Sequence, residues 1–269
     1  MTSRYFLART VILAFAGVCA TATLYAQRSA IRVAAAADLQ SVMPGIAKAF
    51  EDRTGTHVDV SYGSSGNFFA QIQNGAPFDL FFSADDEFPL RLIQSGRAEP
   101  RSAVIYGVGS LVLWMPAKAK CDPQVEKWSC LQKPEVSKIA IANPAHAPYG
   151  RAAVAALQSV YLYEQVRSKL VFGESVAQAA QFVQSGNAQA GILAHSQTLL
   201  PPMREGKYWE IPRDSYPRIA QTVVVLKSAH GKSAAEPFVK FIVEGPGREL
   251  LQKAGFQPPA PAETRGSHK

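Results

Sequence analysis

Two adjacent serines stand where side chains could do chemistry. Ser64 and Ser65 lie between two glycines in "SYGSSGNFF", immediately before an apolar helical pattern begins. A hydroxyl group at that place can cap the helix, because it accepts a hydrogen bond from a free backbone N–H group. The same corner can bind an anion, since the N-terminus of a helix carries a partial positive charge. At this point the sequence leaves both interpretations open.

An enzyme is a further interpretation of these serines. A nucleophilic serine needs a base such as His146 or His195, and three acidic residues stand together at 85–87. However, the sequence contains no GxSxG motif, and acidic residues at the start of a helix are typical of capping and of stabilising the helix dipole. We therefore expect a binding protein that has no catalytic residue and no cofactor.

Short apolar runs alternate with helical patterns along the chain. The run over 31–37 predicts a strand, and 39–55 predicts a helix that ends at Gly55. This alternation indicates an α/β protein with largely parallel sheets. Near the C-terminus, two helices should be separated at Gly245 and Pro246. The other predicted strands are 57–62, 78–83, 110–115, 138–142, 190–193 and 222–226.

Four places share one design, in which a strand ends, a small or polar residue follows and a helix begins. Each offers free backbone N–H groups at a helix N-terminus. In open α/β sheets, ligands bind beyond the carboxyl ends of the strands, where these corners should lie. One such corner alone is typical of a capped helix, but four together favour an anion site. The four corners are 34–41, 62–69, 143–153 and 172–180.

The N-terminus has the pattern of an export signal. Arg4 and Arg9 precede an apolar run, and Ala26 is a small residue before a polar one. We predict a signal peptide over 1–26 that is cleaved after Ala26; an uncleaved anchor and a lipoprotein attached through Cys19 are the alternatives. The last residues, 261–269, lack apolar periodicity and should be a disordered tail.

Charge and cysteine content narrow the function further. The formal net charge is +7, and the basic residues are dispersed without a basic run, so nucleic-acid binding is not expected. In an exported chain, Cys121 and Cys130 are close enough in sequence to predict a disulfide. A metal pair is less favoured, because no histidine or further cysteine lies near them.

Five motifs resemble those of the periplasmic molybdate-binding proteins of ABC importers, and the resemblance covers about 31–256. The resemblance implies a two-lobe periplasmic binding protein fold, in which each lobe is a mostly parallel sheet flanked by helices and two crossovers join the lobes. It implies lobe boundaries of 27–108 plus 218–260 and 109–217. The motifs are "AAADL" (35–39), "GSSG" (63–66), "GAPFDLFFSAD" (75–85), "NPAHAPYG" (143–150) and "GNAQAGIL" (186–193).

The function that the resemblance implies is capture of an oxyanion in the cleft between the lobes. The ligand would be molybdate, and also tungstate, and the protein would deliver it in the periplasm to an inner-membrane ABC permease. We expect a monomer that catalyses nothing. The alternative ligands are sulfate, phosphate and ferric iron; an iron site would use tyrosines such as those of "YLY" (161–163). The effector lobe of a transcription regulator is a further alternative, which conflicts with the export signal.

The resemblance also implies the ligand-binding residues. Ser65 matches a serine that donates through its hydroxyl and amide groups, whereas Tyr149 and Val176 match positions that donate through backbone amides. Asp38 matches a position where many members carry serine or threonine. The molybdenum would be held only through the oxygens of molybdate, at Ser65 and Val176. Ala194 departs from members that place a tyrosine hydroxyl there.

Asp38 is the second departure from the family pattern. A carboxylate at this position would be repelled by a bound dianion. A pair of unit charges about 4 Å apart costs roughly 4 kcal/mol at an effective dielectric constant of 20, and a dianion nearly doubles this cost. We therefore expect the Asp38 carboxylate to turn back and cap the following helix, accepting from the N–H group of Ser41 or its neighbour.

Overall fold

The computed structural model describes residues 30–229 and 232–260 of the 269-residue chain. The predicted signal peptide and the predicted C-terminal tail lie outside these residues. Within them, the strands are β1 (Ile31–Ala36), β2 (Val58–Gly63), β3 (Leu80–Ser83), β4 (Val104–Gly109), β5 (Leu111–Met115), β6 (Ile139–Ala142), β7 (Leu170–Gly173), β8 (Ala190–Ala194), β9 (Lys207–Glu210) and β10 (Ile219–Val225).

The helices cover the faces of the sheets that these strands form. The α-helices are α1 (Met43–Thr54), α2 (Ser65–Gln73), α3 (Glu87–Gln94), α4 (Pro123–Glu126), α5 (Pro148–Ser159), α6 (Tyr163–Val166), α7 (Val176–Gln184), α8 (His195–Thr198), α9 (Lys232–Val243) and α10 (Pro246–Lys253). Short 3-10 helices are Ala37–Ser41, Lys127–Gln132, Arg167–Lys169, Met203–Glu205 and Arg213–Ser215.

The first sheet has the strand order β2-β1-β3-β10-β4. Strand β1 pairs in parallel with β2 and β3, and β10 is antiparallel to β3 and β4. Successive side chains of a strand point to opposite faces, so Val33 and Ala34 enter two different hydrophobic clusters. Both faces are therefore buried under helices, and we call this sheet with its helices the first lobe.

The second sheet has the strand order β7-β6-β8-β5-β9. Strand β6 is parallel to β7 and β8, whereas β5 is antiparallel to β8 and β9. Side chains on its two faces enter two further clusters; Ile139 belongs to one and Ala140 to the other. This sheet and its helices form the second lobe.

Two crossovers connect the lobes. The chain passes from β4 to β5 through Ser110, and it returns between β9 and β10. Strands β5 and β10 begin at the cleft, whereas the parallel strands end there, and this explains their antiparallel pairing. The two-lobe α/β fold with two crossovers is confirmed, and each sheet combines a parallel half with antiparallel strands at the crossover.

Local sequence signals explain where several helices begin and end. Gly55 adopts φ 70° directly after α1, a left-handed conformation that glycine tolerates and that ends the helix as predicted. Helix α1 is shorter than the helix predicted over 39–55, because the chain over Ala37–Ser41 forms a 3-10 helix. The separation of the two C-terminal helices at Gly245 and Pro246 is confirmed.

A disulfide joins Cys121 to Cys130 in the second lobe, with a Cα–Cα distance of 5.6 Å. Both cysteines are buried in the largest hydrophobic cluster of that lobe. The predicted disulfide is therefore confirmed, and its sulfur atoms are not free to bind a metal. Among the helices of residues 30–229 and 232–260, none is long and apolar enough to cross a membrane.

Candidate functional site

One small cavity between the lobes collects residues from all four predicted corners. It holds about 210 Å³ of space that protein atoms do not fill, including its mouth, which is below the range typical of pockets for drug-sized ligands. Asp38, Ser65, Tyr149 and Val176 all line it. The complete lining is Ala36, Ala37, Asp38, Gly63, Ser64, Ser65, Ala84, Ala147, Pro148, Tyr149, Ser175 and Val176.

A larger groove of about 2000 Å³ by the same measure lies elsewhere, along β4, β10 and α9. Its lining mixes acidic and basic side chains, including Glu236 and Lys240. None of the four corners contributes to that lining. The smaller cavity is therefore the better candidate for a specific site, because its polar groups converge there.

Helix N-termini supply the donors of the small cavity. Helices α2, α5 and α7 begin at Ser65, Pro148 and Val176, and all three residues line the cavity. The first N–H groups of a helix have no acceptor within the helix, and the dipole adds a partial positive charge. No lysine or arginine is among the lining residues. The arrangement can therefore hold a small anion with neutral donors.

The two serines of the opening motif have different roles. Ser64 is the N-cap of α2, and its hydroxyl oxygen accepts a hydrogen bond from the N–H group of Asn67 at 3.3 Å. The Ser65 hydroxyl oxygen instead accepts from the N–H group of Ala84 at 3.0 Å. A hydroxyl group can accept and donate at once, so the Ser65 proton remains able to point at a ligand. Of the two interpretations that the sequence left open, the helix cap therefore applies to Ser64.

Asp38 does not cap a helix, so that prediction is wrong. The 3-10 helix Ala37–Ser41 has no side-chain cap, and the Ser41 hydroxyl donates to the Asp38 carbonyl oxygen at 3.0 Å. The Asp38 carboxylate lies inside the protein, where its Oδ2 accepts from the side-chain amide of Gln221 at 2.6 Å. The reason is positional: the 3-10 turn begins at Ala37, so Asp38 lies inside the first turn and not before it.

Gln221 and two tyrosines fix the position of the Asp38 carboxyl group. The Tyr106 hydroxyl donates to the Gln221 Oε1 atom at 2.7 Å, which orients the amide so that its Nε2 faces Asp38. The same Nε2 lies 3.3 Å from the Tyr149 hydroxyl oxygen. Sequence reasoning missed Gln221 and Tyr106. The available signal was the polar Gln221 within the apolar run of β10.

Burial shifts the ionisation of this group of residues. Asp38 has no exposed surface, and burial raises its pKa to about 6, although the nearby Tyr149 hydroxyl and the Gln221 amide oppose the rise. The pKa values of Tyr106 and Tyr149 are raised well above the ordinary value, first by burial and then by the nearby Asp38 charge. Both tyrosines are therefore neutral at physiological pH.

Direct contacts hold the two lobes together around the cavity. The Gly66 N–H group of the first lobe donates to the His146 carbonyl oxygen of the second lobe at 2.8 Å. Arg151 at the start of α5 forms an ion pair with Asp85, which follows β3. A Cβ atom at Gly66 would lie 2.7 Å from the His146 carbonyl oxygen, so this position requires glycine in the closed arrangement.

The residues that follow β8 add two more contacts between the lobes. Ala194 ends β8 and is fully buried, and it does not line the cavity. The Ser196 hydroxyl donates to the Asp38 carbonyl oxygen at 3.0 Å, and the Gln197 amide donates to the Ala37 carbonyl oxygen at 2.9 Å. Thus α8 binds the 3-10 helix that carries Asp38. Sequence reasoning missed both residues, which are polar side chains directly after an apolar strand.

His146 and His195, the candidate bases of an enzyme, contact side chains other than Ser64 and Ser65. His146 lies 3.2 Å from the Glu174 carboxylate, and the His195 Nε2 atom lies 3.3 Å from the Tyr208 hydroxyl. Asp85 accepts from the N–H group of Phe88 in the first turn of α3 at 3.2 Å, as expected for an acidic residue near a helix start, although the N-cap of α3 is Asp86. The tyrosines at 161 and 163, considered for iron, do not line the cavity.

Comparisons with known proteins agree with this geometry. The family model of the bacterial extracellular solute-binding proteins matches residues 31–257. The chain is 39% identical over 253 residues to the molybdate-binding protein ModA of Azotobacter vinelandii, covering 94% of this chain and 98% of the relative. It is 36% identical over 223 residues to the molybdate-binding protein ModA of Rhodobacter capsulatus, covering 83% and 86%.

The solved structure of the Azotobacter vinelandii periplasmic molybdate-binding protein superposes with a TM-score of 0.80. In that superposition the sequences are 35% identical, and the match covers 86% of this chain and 100% of the other. The family model and the relatives both span most of the chain. The chain therefore belongs to the family of bacterial extracellular solute-binding proteins and is a binding protein, not an enzyme.

Proposed function

We propose that this protein captures molybdate, and also tungstate, in the cavity between its lobes and delivers it to the permease of an ABC importer. The observation that carries the proposal is the convergence of several helix N-termini on a small cavity whose lining contains no basic side chain. The molybdate-binding relatives from two organisms support the choice of anion.

The proposed ligands of the anion are the Ser65 hydroxyl and amide groups, the backbone amides of Tyr149 and Val176, and Asp38. Neutral donors in a water-poor cavity compensate the charge of an oxyanion without drawing a basic side chain into it. The metal would be held only through the oxygens of molybdate, at Ser65 and Val176. Contacts such as Gly66 to His146 would then close the lobes over the bound anion.

Hydrogen phosphate is a second candidate ligand, favoured by one specific observation. The Asp38 Oδ1 atom is buried without a hydrogen-bond partner, and an ionised carboxylate can accept only. Such an acceptor would suit an anion that carries a proton. Sulfate has no proton to donate, so it competes with molybdate only through its similar shape and charge.

Thermal unfolding of the exported, purified protein with different anions tests the proposal. Molybdate, tungstate, sulfate, phosphate and ferric citrate would be added in turn. A ligand present at 100 times its dissociation constant stabilises the folded state by about 2.7 kcal/mol. We expect this stabilisation with molybdate and tungstate. The absence of a shift with both would refute the proposal, and a shift with phosphate alone would select the second candidate.

We also propose how the chain is processed and divided. Residues 1–26 are a signal peptide removed in the periplasm, and the mature protein is a monomer. The lobes comprise 27–108 plus 218–260 and 109–217; the strands of each sheet support these ranges, except that β4 of the first sheet ends at Gly109, one residue past the boundary. Mass spectrometry of the exported protein checks the cleavage, with Gln27 expected at the new N-terminus.

A further inference from the structure

Asp38 places an acidic group where the proposed ligand carries two negative charges. It lines the small cavity, none of its surface is exposed, and its Oδ1 atom is buried without a hydrogen-bond partner. The other carboxyl oxygen, Oδ2, is held by the Gln221 amide at 2.6 Å. The carboxyl group is therefore fixed, and it cannot turn away when an anion enters without losing that bond.

No cation among the described neighbours compensates this carboxylate. The titratable groups that face it are the hydroxyls of Tyr106 on β4 and Tyr149 on α5, which are neutral. On α8, His195 lies near Glu210 and Tyr208. Arg151 on α5 pairs with Asp85.

The other elements around Asp38 add no compensating cation among the described residues. Helix α7 has no titratable side chain, and on β1 Arg32 pairs with Asp79. The remaining titratable residues of α1 and β2 are Lys48, Glu51, Asp52, Arg53, Asp59 and Tyr62, all at least partly exposed.

An ionised Asp38 and a dianion would repel each other strongly in this buried place. Repulsion of this kind is removed when the carboxyl group takes up a proton, because a neutral acid can donate a hydrogen bond. The unpartnered Oδ1 atom is the oxygen available to carry that proton, since Oδ2 already accepts from Gln221.

We propose that Asp38 takes up one proton from solvent when molybdate binds, and that its neutral carboxyl group then donates a hydrogen bond from Oδ1 to an anion oxygen. The O–H bond forms on Asp38, and the anion stays fully deprotonated. This inference rests on the proposed function of the cavity. It makes anion capture stronger at lower pH.

The ionisation of the protein without ligand agrees with this assignment. Burial already raises the pKa of Asp38 to about 6, and a bound dianion raises it further because it disfavours the charged form. Above pH 6 the free protein is ionised and the complex is protonated, so affinity should fall about tenfold for each unit of pH. Between pH 6.5 and 8.5 we expect binding to weaken by about 100-fold.

Isothermal titration of the exported protein with sodium molybdate at pH 8 tests the inference. The titration is repeated in buffers of different ionisation enthalpy, so that the heat reports the number of protons taken up. We expect about one proton per anion for the wild type. We expect none for Asp38→Asn, which keeps a neutral side chain that can donate, and its affinity should not change between pH 6.5 and 8.5.

His195→Gln is the matched control, because it removes a titratable side chain from α8, the helix that binds the 3-10 helix carrying Asp38. Proton uptake should persist in this variant. Binding by the wild type without proton uptake would overturn the inference while leaving the proposed function intact, and so would uptake that persists in Asp38→Asn. Absence of binding at any pH would overturn both. The wild-type proton count decides the question even if a variant fails to fold.

Discussion

Replacing Ser65 by alanine should weaken anion binding and also destabilise the protein. The variant removes the hydroxyl proton that we assign to the anion, and it removes the acceptor of the Ala84 N–H group at 3.0 Å. Ser65 is buried, so no bulk water is present to replace either interaction. The two losses are separable, because only the first depends on the ligand.

The structure sets the size of each loss. A hydrogen bond to a charged group contributes about 1.5–3 kcal/mol, so the dissociation constant should rise roughly 10- to 150-fold. A buried N–H group left without its acceptor costs about 1–3 kcal/mol of stability, and this applies to the ligand-free protein. Calorimetry with molybdate measures the first loss, and urea unfolding without ligand measures the second.

Ser102→Ala is a matched control in the same lobe. The Ser102 hydroxyl oxygen accepts from the N–H group of Val225 at 3.1 Å, as Ser65 accepts from Ala84, but Ser102 does not line the small cavity. We expect this variant to lose stability and keep its affinity for molybdate. If Ser65→Ala bound molybdate within twofold of the wild type, the assignment of its hydroxyl group to the anion would be refuted.

Three further predictions concern closure, the disulfide and pH. Gly66→Ala should weaken molybdate binding more than tenfold, because the new Cβ atom would lie 2.7 Å from the His146 carbonyl oxygen and prevent the lobes from closing. X-ray scattering of this variant should show no compaction when molybdate is added. Compaction equal to that of the wild type would contradict this prediction. Reducing the Cys121–Cys130 disulfide, whose cysteines are nine positions apart, should lower the free energy of unfolding by roughly 2–3 kcal/mol and leave affinity unchanged, as urea unfolding and calorimetry can check. Asp38 binds its proton more tightly in the folded state, with a pKa of about 6 against 3.8, so stability should fall as pH rises from 4 to 6. Asp38→Asn should lack this fall and be more stable than the ligand-free wild type by about 3 kcal/mol at pH 7; an unchanged pH profile in urea unfolding would contradict it.

The sequence by itself determined the features that depend on neighbouring residues. Gly55 ends α1 because the left-handed conformation suits glycine, and Ser64 caps α2 because its hydroxyl group reaches an N–H group three residues ahead. The four strand-to-helix corners were visible for the same reason. The parallel order of the strands that precede them brings their carboxyl ends together, so the cavity lining could be predicted in outline.

Only the tertiary structure decided which residues from distant parts of the chain contact each other around the cavity. Asp38 and Gln221 are 183 positions apart, and Gly66 meets His146 in the other lobe. No local pattern records such contacts, because they depend on how the two lobes close. The sequence predicts a helix cap for the Asp38 side chain because its sequence neighbours offer N–H groups, whereas in the fold its Oδ2 atom accepts from Gln221 on β10. Local hydrogen bonds follow from spacing along the chain, but the partner of a buried charge depends on the whole packing around it.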